Sequence, residues 1–263
     1  MSTVVSPDGT AVGYTKIGTG PALILVDGAM CYRDFGPMKE LAEALAPHFT
    51  VYYYDRRGRG ETGGEWSLEH EVEDIETLVK DAGGTAYVFG ASSGGALALD
   101  AACRVPGITK VAVYEPPFII DDTHPARPDD YIDKMDAMIA AGRRGDAVQT
   151  FMKTVGAPGF AIAVMKLTPV WKKLKAVAHT LPNDLRIMGD TGSGKPLPTD
   201  RWAGATMPAL AIDGGKSPVY MRNGVRSLSE ILPDAEYRTL DGQTHMVKAA
   251  VVAPVLVEFF TRN

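Results

Sequence analysis

One stretch decides the fold: Tyr87-Val88-Phe89-Gly90-Ala91-Ser92-Ser93-Gly94-Gly95-Ala96-Leu97. Its apolar beginning predicts a buried strand, and the run of small and apolar residues at its end predicts a helix. The glycines two positions before and after Ser92 remove the bulk that would keep strand and helix apart at so sharp a turn. Such a turn holds its central residue in strained backbone space and projects the serine above the sheet edge, as in a nucleophile elbow. The alternative is a glycine-rich turn without chemistry.

Composition excludes several classes of function. The chain has 263 residues, 45% of them hydrophobic, and a net charge of -5, so it lacks the basic excess that binding to nucleic acid requires. Two cysteines, Cys31 and Cys103, are too few for a disulfide framework and predict free thiols in a reducing cytoplasm. The first residues show no signal-peptide pattern, and the apolar runs are too short for a membrane span. We therefore expect a cytoplasmic protein with no membrane partner.

The order of predicted elements indicates an α/β architecture. Apolar strands alternate with amphipathic helices in the first 117 residues and again near the end, which predicts a mostly parallel, doubly wound sheet. Residues 118–205 lack a convincing central strand and contain helical pieces rich in Pro, Gly and Met. We therefore predict a core formed by residues 1–117 and 206–263, with a helical cap inserted at 118–205. The last helix is expected to start or kink at Pro254.

A serine nucleophile needs a neighbouring base, because its hydroxyl is weakly nucleophilic alone. In open α/β sheets, functional groups collect outside the carboxyl ends of the strands, so the base should lie in a loop after a late strand. His245 is the histidine that meets this condition; the alternative for it is a solvated loop residue. The histidines that do not meet it are His48, His70, His124 and His179.

These features together resemble the α/β-hydrolase family over nearly the whole chain. The resemblance implies the α/β-hydrolase fold with a cap, a triad in the order serine, acid, histidine, and no cofactor or metal. The residues that carry it are Gly90-x-Ser92-x-Gly94, the strand-ending Asp27-Gly28, the loop Asp55-Arg56-Arg57-Gly58-Arg59-Gly60, and His245 before the last helix.

The acid departs from the common family pattern. Many members carry an aspartate a few residues after the strand that corresponds to 209–212, where this chain has Ser217. Serine cannot stabilise an imidazolium as a carboxylate does. Glu115, at the end of the strand after the elbow helix, is the preferred substitute. In this, and in its Asp27-Gly28 pair, the chain resembles zearalenone-type lactonases, whose acid is a glutamate after that strand. The remaining alternatives are Asp213, Asp241 and no acid.

The oxyanion hole is expected from two backbone N–H groups. One belongs to Ser93, the residue after the nucleophile, and the other to Gly28 or Ala29. The neighbouring Asp27 would repel a developing oxyanion, so its carboxylate is expected to point away and pair with an arginine. The candidate arginines are Arg56 and Arg57.

A second glycine-rich stretch, Gly189-Asp190-Thr191-Gly192-Ser193-Gly194-Lys195, imitates a phosphate-binding loop. Pro196 stands where that motif needs a serine or threonine, and no buried strand precedes the loop. We therefore expect a loop of the cap here and no nucleotide site.

The sequence thus predicts a cofactor-independent serine hydrolase that cleaves a small hydrophobic carboxylic ester or lactone through an acyl-enzyme. Ser92 attacks the carbonyl, His245 acts as base and Glu115 orients the imidazole. Two alternatives stay open. The same machinery could run acyl transfer, C–C cleavage or cyclisation, or the protein could bind a ligand with little turnover.

Overall fold

The computed structural model describes residues 2–262. Its strands are β1 (Ser2–Val5), β2 (Ala11–Ile17), β3 (Ala22–Val26), β4 (Thr50–Tyr54), β5 (Ala86–Ala91), β6 (Ile108–Tyr114), β7 (Ala209–Gly214) and β8 (Ala235–Leu240). They form one eight-stranded sheet in the order β1-β2-β4-β3-β5-β6-β7-β8. The pairs β1/β2 and β2/β4 are antiparallel and the other neighbours are parallel. The predicted α/β-hydrolase fold with a mostly parallel sheet is confirmed.

Helices connect the parallel strands. Their bounds are α1 (Met38–Leu45), α2 (Leu68–Asp81), α3 (Ser93–Ala102), α4 (Tyr131–Ala140), α5 (Arg144–Thr154), α6 (Gly159–Met165), α7 (Pro169–Val177), α8 (Leu181–Met188), α9 (Val219–Ile231) and α10 (Ala249–Thr261). The expected start of the last helix at Pro254 is wrong, because α10 begins at Ala249. A proline there removes only the hydrogen bond to the carbonyl of Ala250, an exposed residue that water can reach. Within residues 2–262, no helix is both long and apolar enough to cross a membrane.

The sheet is covered on both faces, which explains its continuous apolar strands. Along β3, Ile24 and Val26 belong to the cluster that contains α2 and α3, whereas Leu23 and Leu25 belong to the cluster that contains α1 and α10. This alternation follows the two-residue period of a strand. All four side chains are 0% exposed, and burying each stabilises the fold by about 1.5–3 kcal/mol.

The helices from α4 to α8, together with their connections, form the helical segment that lies between β6 and β7 in the chain. Most of the buried side chains of these helices form a separate cluster that also includes Met30, from the loop after β3, whereas Ile187 and Met188 at the end of α8 belong to the cluster that contains α2 and α3. The helical segment therefore lies against the carboxyl edge of the sheet. The ends of β3, β5, β6 and β7, and the loop after β8, meet at the same edge.

Candidate active site

The turn between β5 and α3 has the geometry of a strained elbow. Ser92 has φ 56° and ψ -130°, and a positive φ of this kind is unfavourable for every residue except glycine. A Cβ atom at Gly90 would lie 2.2 Å from the carbonyl oxygen of Gly94, so glycine is required where strand and helix meet. The N–H of Ser92 donates to the carbonyl of Tyr114 at 2.9 Å, which ties the turn to β6.

Backbone strain concentrates at this edge of the sheet. Among residues 2–262, the non-glycine residues with positive φ are Met30 at 62°, Ser92 at 56° and Glu115 at 47°. Each such residue costs on the order of 1–3 kcal/mol and persists only where the surroundings enforce it, most often at functional sites. The three positions follow three neighbouring strands, β3, β5 and β6.

Glu115 and His245 form a direct pair. Oε2 of Glu115 lies 3.0 Å from Nδ1 of His245, and Oε1 accepts a hydrogen bond from the N–H of Gly214 at 2.6 Å. The glutamate is 0% exposed. Because Nδ1 is engaged by the carboxylate, Nε2 is the ring nitrogen left for proton transfer.

The other positions considered for the acid form no hydrogen bond or ion pair with the imidazole of His245. Asp213 is 0% exposed and accepts a hydrogen bond from the hydroxyl of Tyr237 at 2.5 Å. Ser217 is buried, and its hydroxyl has no hydrogen-bond partner in the part of the chain that the structure describes. Asp241 lies exposed in the loop after β8. The carboxylate beside the imidazole is therefore that of Glu115.

Ser92 and His245 line the same cavity, which has a volume of about 460 Å³. Their side chains make no hydrogen bond to each other in the described residues. Catalytic hydrogen bonds are often long in ligand-free proteins and shorten when substrate binds. The lining is mostly apolar and includes Met30, Met152, Met188, Met221 and Met246.

Three backbone N–H groups are candidate hydrogen-bond donors to an oxyanion. The N–H of Ser93 is the first of α3, where helix geometry leaves amide groups without an internal partner. A Cβ at Gly28 would lie 2.9 Å from the Cβ of Ser92, so this loop packs against the serine. However, the N–H of Gly28 donates to Oδ1 of Asp27 at 2.9 Å. The N–H of Ala29 makes no hydrogen bond within residues 2–262 and is the less committed donor.

The predicted pairing of the Asp27 carboxylate with an arginine is wrong. Arg56 donates to the backbone carbonyl of Asp27 at 3.2 Å, and its guanidinium holds Glu71 and Asp184. Asp27 is 4% exposed, and burial raises its pKa to about 7, against the opposing effects of the Gly28 hydrogen bond and the Arg59 charge. The buried carboxylate thus lacks the close cation that the sequence suggested.

Arg57 turns away from Asp27 as well. It lies 2.8 Å from a carboxylate oxygen of Asp74 and 2.6 Å from one of Asp8. Asp74 lies on α2 and Asp8 in the turn between β1 and β2, so the guanidinium of Arg57 is held by elements other than the loop after β3.

Asp184 is a site residue that sequence reasoning missed. It is 2% exposed and accepts hydrogen bonds from Arg56 at 2.8 Å, Arg59 at 2.6 Å and the hydroxyl of Ser93 at 2.8 Å. Burial alone would raise its pKa, but Arg59 and Arg56 outweigh that effect and lower it. Arg59 also donates to the carbonyl of Gly28 at 2.6 Å. This network fixes α8 of the helical segment to the elbow and to the Gly28 loop.

Only part of this network has a sequence signal. The arginine-rich loop was recognisable as a unit, whereas Asp184 stands alone in an amphipathic helix.

Most backbone N–H groups of the glycine-rich stretch 189–195 are engaged and not available to a phosphate. The N–H groups of Thr191, Ser193 and Gly194 donate to backbone carbonyls at 3.3, 3.0 and 2.9 Å. A phosphate loop needs such groups directed at the ligand. Residues 2–262 also contain no group of three or more His, Cys, Asp or Glu arranged to hold a metal ion.

Residues 20–254 match the model of the alpha/beta hydrolase family. The chain belongs to the alpha/beta hydrolase family. It is similar to an alpha/beta hydrolase from Sphaerobacter thermophilus DSM 20745, whose crystal structure matches with a TM-score of 0.91 and 48% identity over 99% of this chain and 100% of that one. It is also 31% identical over 122 residues, 44% of each chain, to the uncharacterized hydrolase YraK of Bacillus subtilis. A relative matched over 92% of this chain and 89% of its own length is the N-formylmaleamate deformylase of Pseudomonas putida, at 25% identity. The finer resemblance to zearalenone-type lactonases stays a prediction.

Proposed function

We propose that this member of the alpha/beta hydrolase family is a serine hydrolase that cleaves a small carboxylic ester or lactone through an acyl-enzyme, without a cofactor. Ser92 attacks the carbonyl carbon, and His245 takes the hydroxyl proton and gives it to the leaving oxygen. Water, activated by the same imidazole, then releases the acid. Glu115 holds the ring orientation, and the N–H groups of Ser93 and of Gly28 or Ala29 receive the oxyanion.

The observation that carries the proposal is the 3.0 Å contact between Glu115 and Nδ1 of His245, at the edge of a cavity that the elbow serine also lines. An imidazole held at Nδ1 by a buried carboxylate keeps the tautomer that a general base needs. A second support is the strained backbone at Ser92, because strain of this kind is maintained by its surroundings.

We also propose that the helical segment acts as a cap, with residues 118–205 inserted into a core of 1–117 and 206–263. The cavity lies between this segment and the sheet edge, and its apolar lining favours a small hydrophobic molecule over nucleic acid. Free Cys31 and Cys103 support a cytoplasmic location.

Labelling by a fluorophosphonate probe tests the nucleophile. The wild type should be labelled and Ser92→Ala should not. Ser217→Ala, which changes a buried serine without a hydrogen-bond partner, is the matched control and should be labelled like the wild type. Labelling of Ser92→Ala, or none in the wild type, would contradict the proposal.

Hydrolysis is separated from acyl transfer, C–C cleavage and cyclisation by the products. In water enriched in ¹⁸O, turnover of an ester or lactone through an acyl-enzyme should place one ¹⁸O atom in the released acid. The panel should include N-formyl amides, because one relative is a deformylase. Exclusive cleavage of such amides would replace the ester in the proposal with a formamide. Ligand binding without turnover would support the alternative of a binding protein.

A further inference from the structure

We propose that the substrate carries a carboxylate in addition to its scissile bond, and that Arg127 and Tyr131 bind this carboxylate. The inference rests on the proposed hydrolase function and adds the chemical class of the substrate. Both residues line the cavity of Ser92 and His245, from the helical segment and the connection that leads into it.

Arg127 brings to this cavity a positive charge that has no salt-bridge partner. No carboxylate in the described residues lies within 4.0 Å of its guanidinium, whereas Arg56, Arg57 and Arg59 each pair with a buried or partly buried acid. The side chain is half-buried. Burial lowers the pKa of Arg127, because a cation removed from water without a close counter-ion is unfavourable, and the charges of Tyr131 and the more distant Asp190 only partly oppose this effect. An anionic ligand in the cavity would supply the missing partner.

The glycine-rich stretch 189–194 holds the guanidinium in place. The backbone N–H of Arg127 donates to the carbonyl of Gly192 at 2.8 Å, and Nη2 donates to the carbonyl of Gly189. A Cβ at Gly192 would lie 3.1 Å from Cζ of Arg127, so a larger residue would crowd the side chain. The stretch that imitates a phosphate loop in the sequence therefore uses its carbonyls to position an arginine. The remaining guanidinium N–H groups are left for a ligand, since one arginine has five.

Tyr131 adds a hydrogen-bond donor. Its side chain is 94% buried by accessible area, since 6% is exposed, and it lines the cavity. Its hydroxyl makes no hydrogen bond of normal geometry in the chain from residue 2 to 262; the hydroxyl of Thr154 comes nearest to being a partner, but it donates to the carbonyl of Thr150 at 3.1 Å. A buried hydroxyl without a partner costs free energy that a ligand's acceptor atom would recover. Arg127 lies four residues before Tyr131 in the chain, and both side chains line the same cavity.

The other charged groups of the cavity do not offer the same site. Asp184 is neutralised by Arg56 and Arg59, and Asp27 is an acid that would repel a carboxylate. The anionic part of the substrate should therefore lie toward Arg127, and its scissile carbonyl toward Ser92. A planar guanidinium and a carboxylate fit each other in a two-pronged arrangement.

The test compares two esters of matched length, mono-p-nitrophenyl glutarate and p-nitrophenyl pentanoate. The wild type should prefer the anionic ester. Arg127→Met should lower kcat/KM for the anionic ester by about tenfold to a hundredfold, mainly through KM, because a hydrogen bond to a charged group is lost. Its loss on the neutral ester should be much smaller. Tyr131→Phe should have an effect of the same kind and smaller size, and Arg127→Lys should restore part of the preference.

The matched control is Arg186→Met. Arg186 lies exposed on the helical segment and pairs with Asp136 at its surface, so the ratio of the kcat/KM values for the two esters should stay at the wild-type value. If Arg127→Met only disturbs the structure, kcat/KM should fall equally for both esters, and that result would overturn the inference. A wild type that does not prefer the anionic ester would overturn it as well. Cleavage of the neutral ester alone would support the proposed function and refute the carboxylate site.

A binding measurement covers the case in which neither ester is cleaved. Calorimetry with mono-p-nitrophenyl glutarate on Ser92→Ala needs no turnover. Adding Arg127→Met should weaken binding at least tenfold. Equal affinity with and without Arg127 would refute the carboxylate site independently of any catalytic result.

Discussion

Replacing the buried Asp27 by asparagine should stabilise the protein, and the gain should grow as the pH rises. Asp27 is 4% exposed, and burial raises its pKa to about 7 from an ordinary value of 3.8. The carboxyl group is therefore protonated in the folded protein at pH 5 and charged in the unfolded chain. Asparagine has nearly the same shape and can still accept the hydrogen bond from the N–H of Gly28. It never carries the buried charge.

The magnitude follows from proton linkage. Between pH 5 and 7 the folded protein binds one more proton at this residue than the unfolded chain does, so stability falls by about 1.4 kcal/mol for each pH unit. Above the folded pKa both states are ionised and the effect is constant. The free energy of unfolding of Asp27→Asn, minus that of the wild type, should thus increase by about 2–3 kcal/mol from pH 5 to 8, and most of the increase should occur below pH 7. Other titrating groups are common to both proteins and cancel in the difference.

Urea denaturation at pH 5, 6, 7 and 8 measures this difference, and Asp184→Asn provides the contrast. Asp184 is equally buried, but Arg59 and Arg56 outweigh the effect of burial and lower its pKa. Its stabilisation is present above the unfolded pKa and is lost only as the pH falls through the folded one. Asp184→Asn should therefore cost about 3–5 kcal/mol across the whole range, with little pH dependence. A flat or falling difference for Asp27→Asn would refute the account of Asp27 as a buried acid without a close cation.

Two further predictions concern the support of His245. Glu115→Gln should lower kcat on an activated ester by about 10²- to 10⁴-fold, because a neutral amide neither fixes the tautomer of His245 nor stabilises the imidazolium. Asp213→Asn should change kcat by less than about tenfold. A larger loss of the steady-state rate in Asp213→Asn would assign the role of the acid to Asp213 instead. Gly214→Ala should lose both stability and activity, since a Cβ there would lie 2.6 Å from the carbonyl oxygen of Gln243. Gly63→Ala, with nothing within 4 Å of its Cβ, is the control, and thermal melts that rank the two variants the other way would contradict the steric argument.

The sequence was most informative where steric demands are local. The glycines around Ser92 predict a turn in which strand and helix touch. A Cβ at position 90 would lie 2.2 Å from the carbonyl oxygen of Gly94, which explains why only glycine fits there. Likewise, strands with apolar side chains on both faces predict a covered parallel sheet, which the packing of Ile24 and Leu25 into opposite clusters confirms. Such features depend on neighbours in the chain and on backbone geometry.

Partners that come from distant parts of the chain could not be predicted in the same way. The sequence predicts that Arg56 or Arg57 pairs with the carboxylate of Asp27, but Arg56 reaches only the backbone carbonyl of Asp27 and directs its charge to Glu71 and to Asp184, which is 128 residues away. An arginine has several acids within reach of the same edge, and the choice depends on where α2 and α8 pack. The unpartnered hydroxyl of Tyr131 has no sequence signal either, because the same tyrosine could pack as an ordinary core residue.

The location of the proposed acid can be understood from the sheet order. Strand β6 lies between β5, which ends at the elbow, and β7, so a carboxylate after β6 is one strand closer to Ser92 than one after β7. The turn after β7 then has a different task. Gly214 donates its N–H to Glu115 at 2.6 Å, and Lys216 donates to the carbonyl of Gln243 at 2.8 Å, in the loop that carries His245. The end of β7 thus fixes both the carboxylate and the histidine loop, which explains how a serine at position 217 is compatible with a complete acid–base pair.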